Sequence, residues 1–245
     1  MFFFNDIMIS MFKKKPIIEY ESSVDYTENS ILPAKKFIPD WYKKILPFKD
    51  NNIYDLNQGF MGTVKLCVPF LETFSSGYMI SLPYDVYVKN NNGAPFVTTA
   101  HGLAQSDQPR WRANIAHEKL VPTGCFPYEY TWNYCISYTL PKGYSALITH
   151  PLNRHDLPFI TLTGIIDGGL VMYSHGNFPF YIKDGFEGII PKGTPIIQII
   201  PFRQENWKSK KRSGLVEEGN KHNTAAGTVI SGWYKKTFWT RKKYD

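Results

Sequence analysis

The chain is poor in the residues and patterns by which many functions announce themselves. Its 245 residues include only three cysteines, Cys67, Cys125 and Cys135, an odd number with no Cys-x-x-Cys pair. A disulfide scaffold or a zinc ribbon needs closely spaced, paired thiols, so neither fits, and the cysteine usage suits a reducing compartment. No stretch approaches the roughly 20 apolar residues that span a bilayer, so no membrane partner is expected. The opening MFFFNDIMISMFKKKP is apolar at first, but Asn5 and Asp6 interrupt it. It also lacks a basic leader and a small-residue cleavage site, so it does not read as a signal peptide. Met11, which opens MFKKKPIIEYES, reads as the more ordinary start. A P-loop, a dinucleotide fingerprint and a Gly-x-Ser-x-Gly elbow are all missing, as is any repeat of roughly 20–50 residues.

What is present points to strands and corners. Hydrophobic residues make up 43% of the chain, enough for a core, and aromatics 16%, with 16 Tyr and 17 Phe. Flat side chains pack well across a pleated sheet. With 18 Gly and 17 Pro, the composition implies a mainly β protein of short strands and tight turns. One domain of about 150–200 residues with appended segments is the natural division. It is placed here as an N-terminal arm with a short helix (1–61), a core (62–202) and a basic, aromatic C-terminal arm (203–245). The net charge of +7 is concentrated at Lys13–Lys15, at Lys208–Arg212 and in the tail from Lys235 to Lys243. Such end clusters serve as solvated tails or partner-contact arms more often than as a shaped groove.

Along the chain, PAKKFIPDWYKKIL (33–46) contains the best helix candidate, with Pro39 in its first turn, Asp40 at its positive end and Trp41 and Ile45 on one face. Trp41 and Phe37 are expected to clip it to the core. GTVKLCVPFLETF (62–74) and GYMISLPYDVYVKN (77–90) read as strands, and KNNNG (89–93) as a hairpin turn. Residues 94–120, with His101, Trp111 and His117, read as a long loop with short strand pieces, and 126–140 as two strands. PKGYSALITHP (141–151) and PKGTPIIQIIPF (191–202) each start from a Pro-Lys-Gly corner that feeds a buried strand. Between them, LTGIIDGG (162–169) ends a strand at Asp167. RQENWKSKKR (203–212) predicts a short helix, and 219–232 a flexible or partner-ordered segment.

Few of these residues suggest chemistry. Asp167 follows an apolar run and precedes two glycines. Apolar neighbours can raise a carboxyl pKa and make it a base toward water. The alternative is a turn aspartate that accepts the N–H groups of Gly168 and Gly169. His150, Asn153, Arg154 and Gly168 are the ligand-binding candidates. His150, His155 and His175 are candidate metal ligands, but their spacing fits no established pattern, and satisfied or surface histidines are the better reading. No cofactor is expected, and Mg²⁺ enters only with a nucleotide. In the tail, Trp233, Tyr234, Lys235, Lys236, Trp239 and Arg241 interleave rings and cations. That pattern suits a protein-docking tail, with nucleic acid as the alternative.

The order VPTG (121–124), PKGY (141–144), GIID (164–167) and KGTPIIQIIPF (192–202) resembles the dUTPase and dCTP deaminase fold. This is a compact β-clip, a distorted β-barrel or sandwich, whose members assemble as trimers. The resemblance covers about 75–202 and implies a β-clip core with short peripheral helices and extended terminal arms. It carries Asp167 onto a catalytic position and nothing else. The family's Arg-Ser-Gly substrate loop falls near Thr149–Leu152, which here reads THPL. The tyrosine that follows the family's aspartate is missing, and the glycine-rich C-terminal motif has no match.

Over most of its length the chain also resembles a protein family of tailed phages and some bacteria. AKKFIPDWYKKI (34–45), TVKLCVPFLETFSSGYMISLPYDV (63–86), PKGYSALITHPLNRHDLPF (141–159) and IPKGTPIIQIIPFRQENWK (190–208) carry that likeness. It implies a viral origin and no activity. The expectation is therefore a non-catalytic phage protein, a homo-oligomer and first a trimer, active in the host cytoplasm or the virion beside other phage structural proteins. A nucleotide-binding or nucleotide-hydrolysing enzyme with a rebuilt site around Asp167 is the alternative, and a cupin-like metal enzyme comes third.

Overall fold

The computed structural model describes residues 15–22, 31–57, 59–99, 108–112, 117–133, 135–172, 175–227 and 232–245, and at 175–177 the backbone alone. The strands are, in order, β1 (Glu19–Ser22), β2 (Leu32–Pro33), β3 (Tyr54–Asp55), β4 (Gly59–Phe60), β5 (Tyr78–Ser81), β6 (Val86–Asn91), β7 (Ala94–Thr99) and β8 (Arg110–Trp111). β9 (Cys125–Asn133), β10 (Ile136–Thr139), β11 (Tyr144–Thr149), β12 (Phe159–Thr161), β13 (Gly164–Asp167) and β14 (Val171–Met172) follow. β15 (His175–Lys183), β16 (Gly188–Ile190) and β17 (Pro195–Arg203) complete them. The α-helices are α1 (Asp40–Lys44), α2 (Val68–Ser75), α3 (Leu215–Gly227) and α4 (Trp233–Thr237).

The protein is mainly β, built from antiparallel sheets. The largest runs β13-β11-β17-β5-β2, and a four-stranded sheet runs β12-β15-β9-β8. Three-stranded sheets run β1-β10-β14 and β16-β6-β7, and β3 pairs with β4. None of them closes on itself among the described residues. Of the expected barrel or sandwich, a closed barrel is not seen among them, because β13 and β2 remain the outer strands of the central sheet. The segment ahead of the core takes part: β1 pairs with β10, β2 pairs with β5, and Ile31 is buried in the core.

β17 lies in the middle of the central sheet, between β11 and β5. Its first five residues, Pro195–Ile199, are all buried. A strand covered on both faces reads as a continuous apolar run, which is what PIIQII shows. Next to it, the Trp132 ring stacks on Phe180 at 3.5 Å and 7° and meets the edge of Phe159 at 4.7 Å. The indole Nε1–H donates to Thr161 Oγ1 at 2.8 Å, and that hydroxyl donates to the Ile196 carbonyl at 2.8 Å. Burial of the indole therefore leaves no donor stranded.

Local turn chemistry explains the β6–β7 hairpin. Asn92 (φ 52°) and Gly93 (φ 88°) both take left-handed conformations between the paired Asn91 and Ala94, as a two-residue hairpin loop requires.

Several expectations need correction. The segment 62–74 is mostly helical instead, with a 3₁₀ turn at Val64–Leu66 followed by α2. Thr63 Oγ1 caps the turn by accepting from Lys65 N–H, and Pro69 suits the first turn of α2. Phe70 and Phe74, four apart, meet edge to face at 5.3 Å and pack on Tyr42 at 5.9 and 4.9 Å, which is helical rather than strand periodicity. Within 33–46 the expected helix is α1, with Pro39 as its N-cap rather than in its first turn, and a 3₁₀ turn, Ala34–Phe37, precedes it. Tyr42 is its buried anchor, and the more exposed Trp41 edges onto both Tyr42 and Phe74.

Residues 94–99 form a full strand, while His101 lies outside the described residues. Residues 204–212 form no helix, because they offer no apolar face to bury. The helix begins instead at Leu215, with Glu217 and Glu218 in its first turn and a Glu217–Lys221 pair. It occupies much of the segment expected to be flexible. Among the described residues no helix is long and apolar enough to cross a membrane, and no disulfide joins the cysteines.

Candidate functional site

Asp167 ends β13 opposite Ser145 of β11. Its Oδ1 accepts from Ser145 Oγ at 2.6 Å and from Gln204 Nε2 at 3.1 Å, and Gln204 Nε2 also reaches Ser145 Oγ at 3.0 Å. The carboxylate is exposed, with a hydroxyl and an amide beside it rather than apolar side chains. The turn alternative also gives way, because the Gly168 and Gly169 N–H groups donate to the Tyr144 and Leu140 carbonyls. A Cβ at Gly168 would lie 2.2 Å from the Pro141 carbonyl oxygen. That glycine is therefore required by close backbone packing. Gln204 is held by its own N–H to the Gly143 carbonyl, and Arg203 beside it donates to Tyr144 Oη at 3.3 Å. This small polar cluster, Asp167–Ser145–Gln204, can orient a hydroxyl or a water molecule at the end of the central sheet.

The other candidates gather in the loop 150–157, where they hold the fold. Asn153 adopts φ 58° and donates from Nδ2 to Thr73 Oγ1 at 2.8 Å. Arg154 forks onto Asp156 at 2.8–3.2 Å and donates from Nη1 to the Phe37 carbonyl at 3.3 Å. Burial pushes the Asp156 carboxyl up, but hydrogen bonding and charge from Arg154 outweigh it and hold the group below its ordinary value.

His150 accepts from Thr161 N–H at Nδ1 (3.3 Å) and donates from Nε2 to the Arg154 carbonyl (3.1 Å). A carbonyl can only accept, so Nε2 carries the proton and the Nδ1 lone pair is in use. Burial pushes this imidazole down to about 4 from 6.5; the Arg154 carbonyl opposes the shift, and Lys183, His155 and Arg154 add to it through their charge. A histidine with both nitrogens engaged has no lone pair left for a metal, which takes the first ligand from the cupin-like reading. His155 is exposed, and the His175 side chain lies outside the described residues. Among the described residues no three His, Cys, Asp or Glu side chains converge as a metal site.

Two glutamines that the sequence did not single out do much of the positioning. Gln198, fully buried in β17, accepts from Leu152 N–H at 2.9 Å and donates to the Thr73 and Ser76 carbonyls, both at 2.8 Å. It joins the loop to the C-terminal end of α2, where helix carbonyls lack intrahelical partners. Gln204 does the same at Asp167. Neither glutamine belongs to a motif, and their partners lie far away in the chain.

The C-terminal aromatics divide. Trp233 packs on His222 (5.7 Å) and Phe238 (5.2 Å). Trp239 Nε1 donates to Glu72 Oε1 at 2.9 Å, and Lys242 pairs with the same carboxylate. Tyr244 meets the edge of Tyr78 at 5.6 Å. The tail is thus folded back on α2 and β5, leaving Tyr234, Lys235, Lys236 and Arg241 exposed. Where residues 15–20 approach the C-terminal residues 243–245, a cavity of about 650 Å³ is lined by Ile17, Ile18, Tyr20, Tyr78, Tyr144 and Tyr244, among others. No family model matches the chain, and neither a curated protein nor a solved structure matches it.

Proposed function

We propose that the chain is a non-catalytic structural or interaction module of tailed-phage origin, with a β-clip core that assembles with copies of itself, a trimer first. It acts in the host cytoplasm or in the particle beside other phage structural proteins. The origin and the β-clip rest on the motif order and the full-length resemblance given above. One observation carries the assembly. On the outward face of the β16-β6-β7 sheet, Ile189 lies beside Tyr87, and Phe96 stands one row away opposite Lys89. The three apolar side chains are 54%, 38% and 58% exposed. The solvent face of an antiparallel sheet is ordinarily polar, and a contiguous apolar patch there marks a contact surface. Meanwhile His150, Asn153 and Arg154 are engaged in internal hydrogen bonds.

Light scattering on the full chain tests the reading. The expected mass is three times the 28.3 kDa protomer, falling toward one protomer in Tyr87→Lys/Ile189→Lys with the far-UV spectrum retained. A monomeric parent chain at micromolar concentration would overturn it.

The Asp167–Ser145–Gln204 cluster favours a second reading, a nucleotide-binding or nucleotide-hydrolysing enzyme in which Asp167 orients the attacking water. Melting of the parent and of Asp167→Asn with each deoxynucleotide, with and without Mg²⁺, separates the two. A ligand at 100 times its dissociation constant adds about 2.7 kcal/mol. A selective shift lost in the variant supports the enzyme, and no shift with any nucleotide supports the module.

A further inference from the structure

Between Gln204 and Arg212 the chain forms a strap anchored at both ends and, among the described residues, held by no hydrogen bond or ion pair in between. Gln204 is fixed to Gly143, Ser145 and Asp167, and Arg212 pairs with Glu218 of α3. Every residue from Phe202 to Glu218 is exposed. Trp207 is 86% exposed, and among the described residues no ring contact, hydrogen bond or ion pair engages it or Lys208, Lys210 and Lys211. Arg203 and Arg212 add cations at the two ends, and Glu205, beside Arg203, is the one acid in the strap. An indole presented to water within a run of lysines is costly surface to display without a partner. The interleaved tail at 233–241 shows the contrast, because there Trp233 and Trp239 are already engaged within the chain.

We propose that this strap is a contact site for single-stranded nucleic acid, with a base stacked on Trp207 and phosphates paired with Lys208, Lys210 and Lys211. Stacking on an exposed aromatic needs no pocket, since every base presents a π-face, and lysines track the backbone without reading sequence. The polar Asn206, just before Trp207, and Ser209, between Lys208 and Lys210, can donate to phosphate or base. An anionic membrane would draw the same cations, but the strap offers only Trp207 to the acyl boundary, and two signals are needed for stable anchoring. An acidic protein surface would pair with the lysines but would gain little from a lone, unpocketed indole.

The test is fluorescence anisotropy of a labelled 20-nucleotide oligothymidylate against the full chain. Three lysine–phosphate contacts give a log–log salt slope near −2, so affinity falls about 20-fold between 50 and 200 mM salt. Trp207→Ala is expected to weaken binding about tenfold at constant slope, and Trp207→Phe to restore part of it. The triple variant Lys208→Ala/Lys210→Ala/Lys211→Ala is expected to flatten the slope. These substitutions touch no packed residue, so melting temperatures should stay at the parent value. Salt-independent binding, or binding equal in all variants, would overturn the proposal. So would no binding at 50 mM salt, or association with phosphatidylserine vesicles or an acidic peptide in its place.

Discussion

Replacing Gln198 by Met removes three hydrogen bonds from the middle of the molecule at nearly constant volume. In the parent, the buried amide satisfies Leu152 N–H and the carbonyls of Thr73 and Ser76, at 2.8–2.9 Å. Methionine fills the space but leaves these three backbone groups without their partner. Each buried group so stranded costs about 1–3 kcal/mol. Leu152, Thr73 and Ser76 are half-buried, so water relieves part of the loss, and a total of about 3 kcal/mol is expected. For a domain of this size 1 kcal/mol corresponds to about 2–4 °C, which sets the drop in Tm at about 6–12 °C. Scanning calorimetry reads it, and hydrogen exchange at Leu152 localises it, since that amide should lose protection well before those of β17. A Tm within about 2 °C of the parent, with Leu152 protection unchanged, would show that the loop is held by something other than Gln198 and would refute the reasoning.

Other outcomes follow from the same contacts. His150 has a folded-state pKa lowered to about 4 from 6.5, so the unfolded chain takes up its proton first as pH falls. Its contribution is complete above pH 6.5, declines between pH 6.5 and 4 by about 3 kcal/mol, and is flat below; urea midpoints of the parent and of His150→Asn across that range should converge at acid pH. Trp239→Ala leaves Lys242 as the tail's contact with Glu72, and tryptic cleavage after Arg241 is expected to accelerate about tenfold, the equivalent of one hydrogen bond to a charged group. Tyr181 donates to the buried Glu129 at 3.0 Å, and burial together with that carboxylate pushes the phenol up to about 12. Tyr181→Phe strands Glu129 Oε2 and should lower the urea midpoint by the equivalent of about 2 kcal/mol, whereas a neutral result would mean that Arg112 alone suffices for the carboxylate.

Features fixed by neighbours in sequence were legible from the chain, and features fixed across it were not. Asn92–Gly93 encodes its hairpin locally, and the Pro-Lys-Gly corners before β11 and β17 encode theirs. PIIQII reads as a buried strand because both of its faces are covered. The reading failed at 62–74, where Val64 and Cys67 look like strand residues and the i, i+4 pairing of Phe70 with Phe74 was outweighed; only Tyr42, brought up from another segment, shows which period matters. It failed again at 203–212, where helix-tolerant residues have no surface to pack against. Asp167 was visible as a strand end, but its partners Ser145 and Gln204 sit 22 and 37 residues away. Nothing in a single sequence brings such residues together. The same holds for Gln198, which looks like one polar residue in an apolar run and serves as the joint of three segments.

The central position of β17 also bears on how the protein is made. Its neighbours β5 and β11 leave the ribosome well before it does, and neither can complete its hydrogen bonding until Pro195–Arg203 arrives to lie between them. From Thr149 to Arg203 the ribosome adds 54 residues, roughly 3–11 s of synthesis at 5–20 residues per second. For that interval a nascent chain carries two unmatched apolar strand edges, each a template for pairing with another chain. Slower translation or higher expression should therefore raise the insoluble fraction, and a chaperone that covers strand edges should lower it.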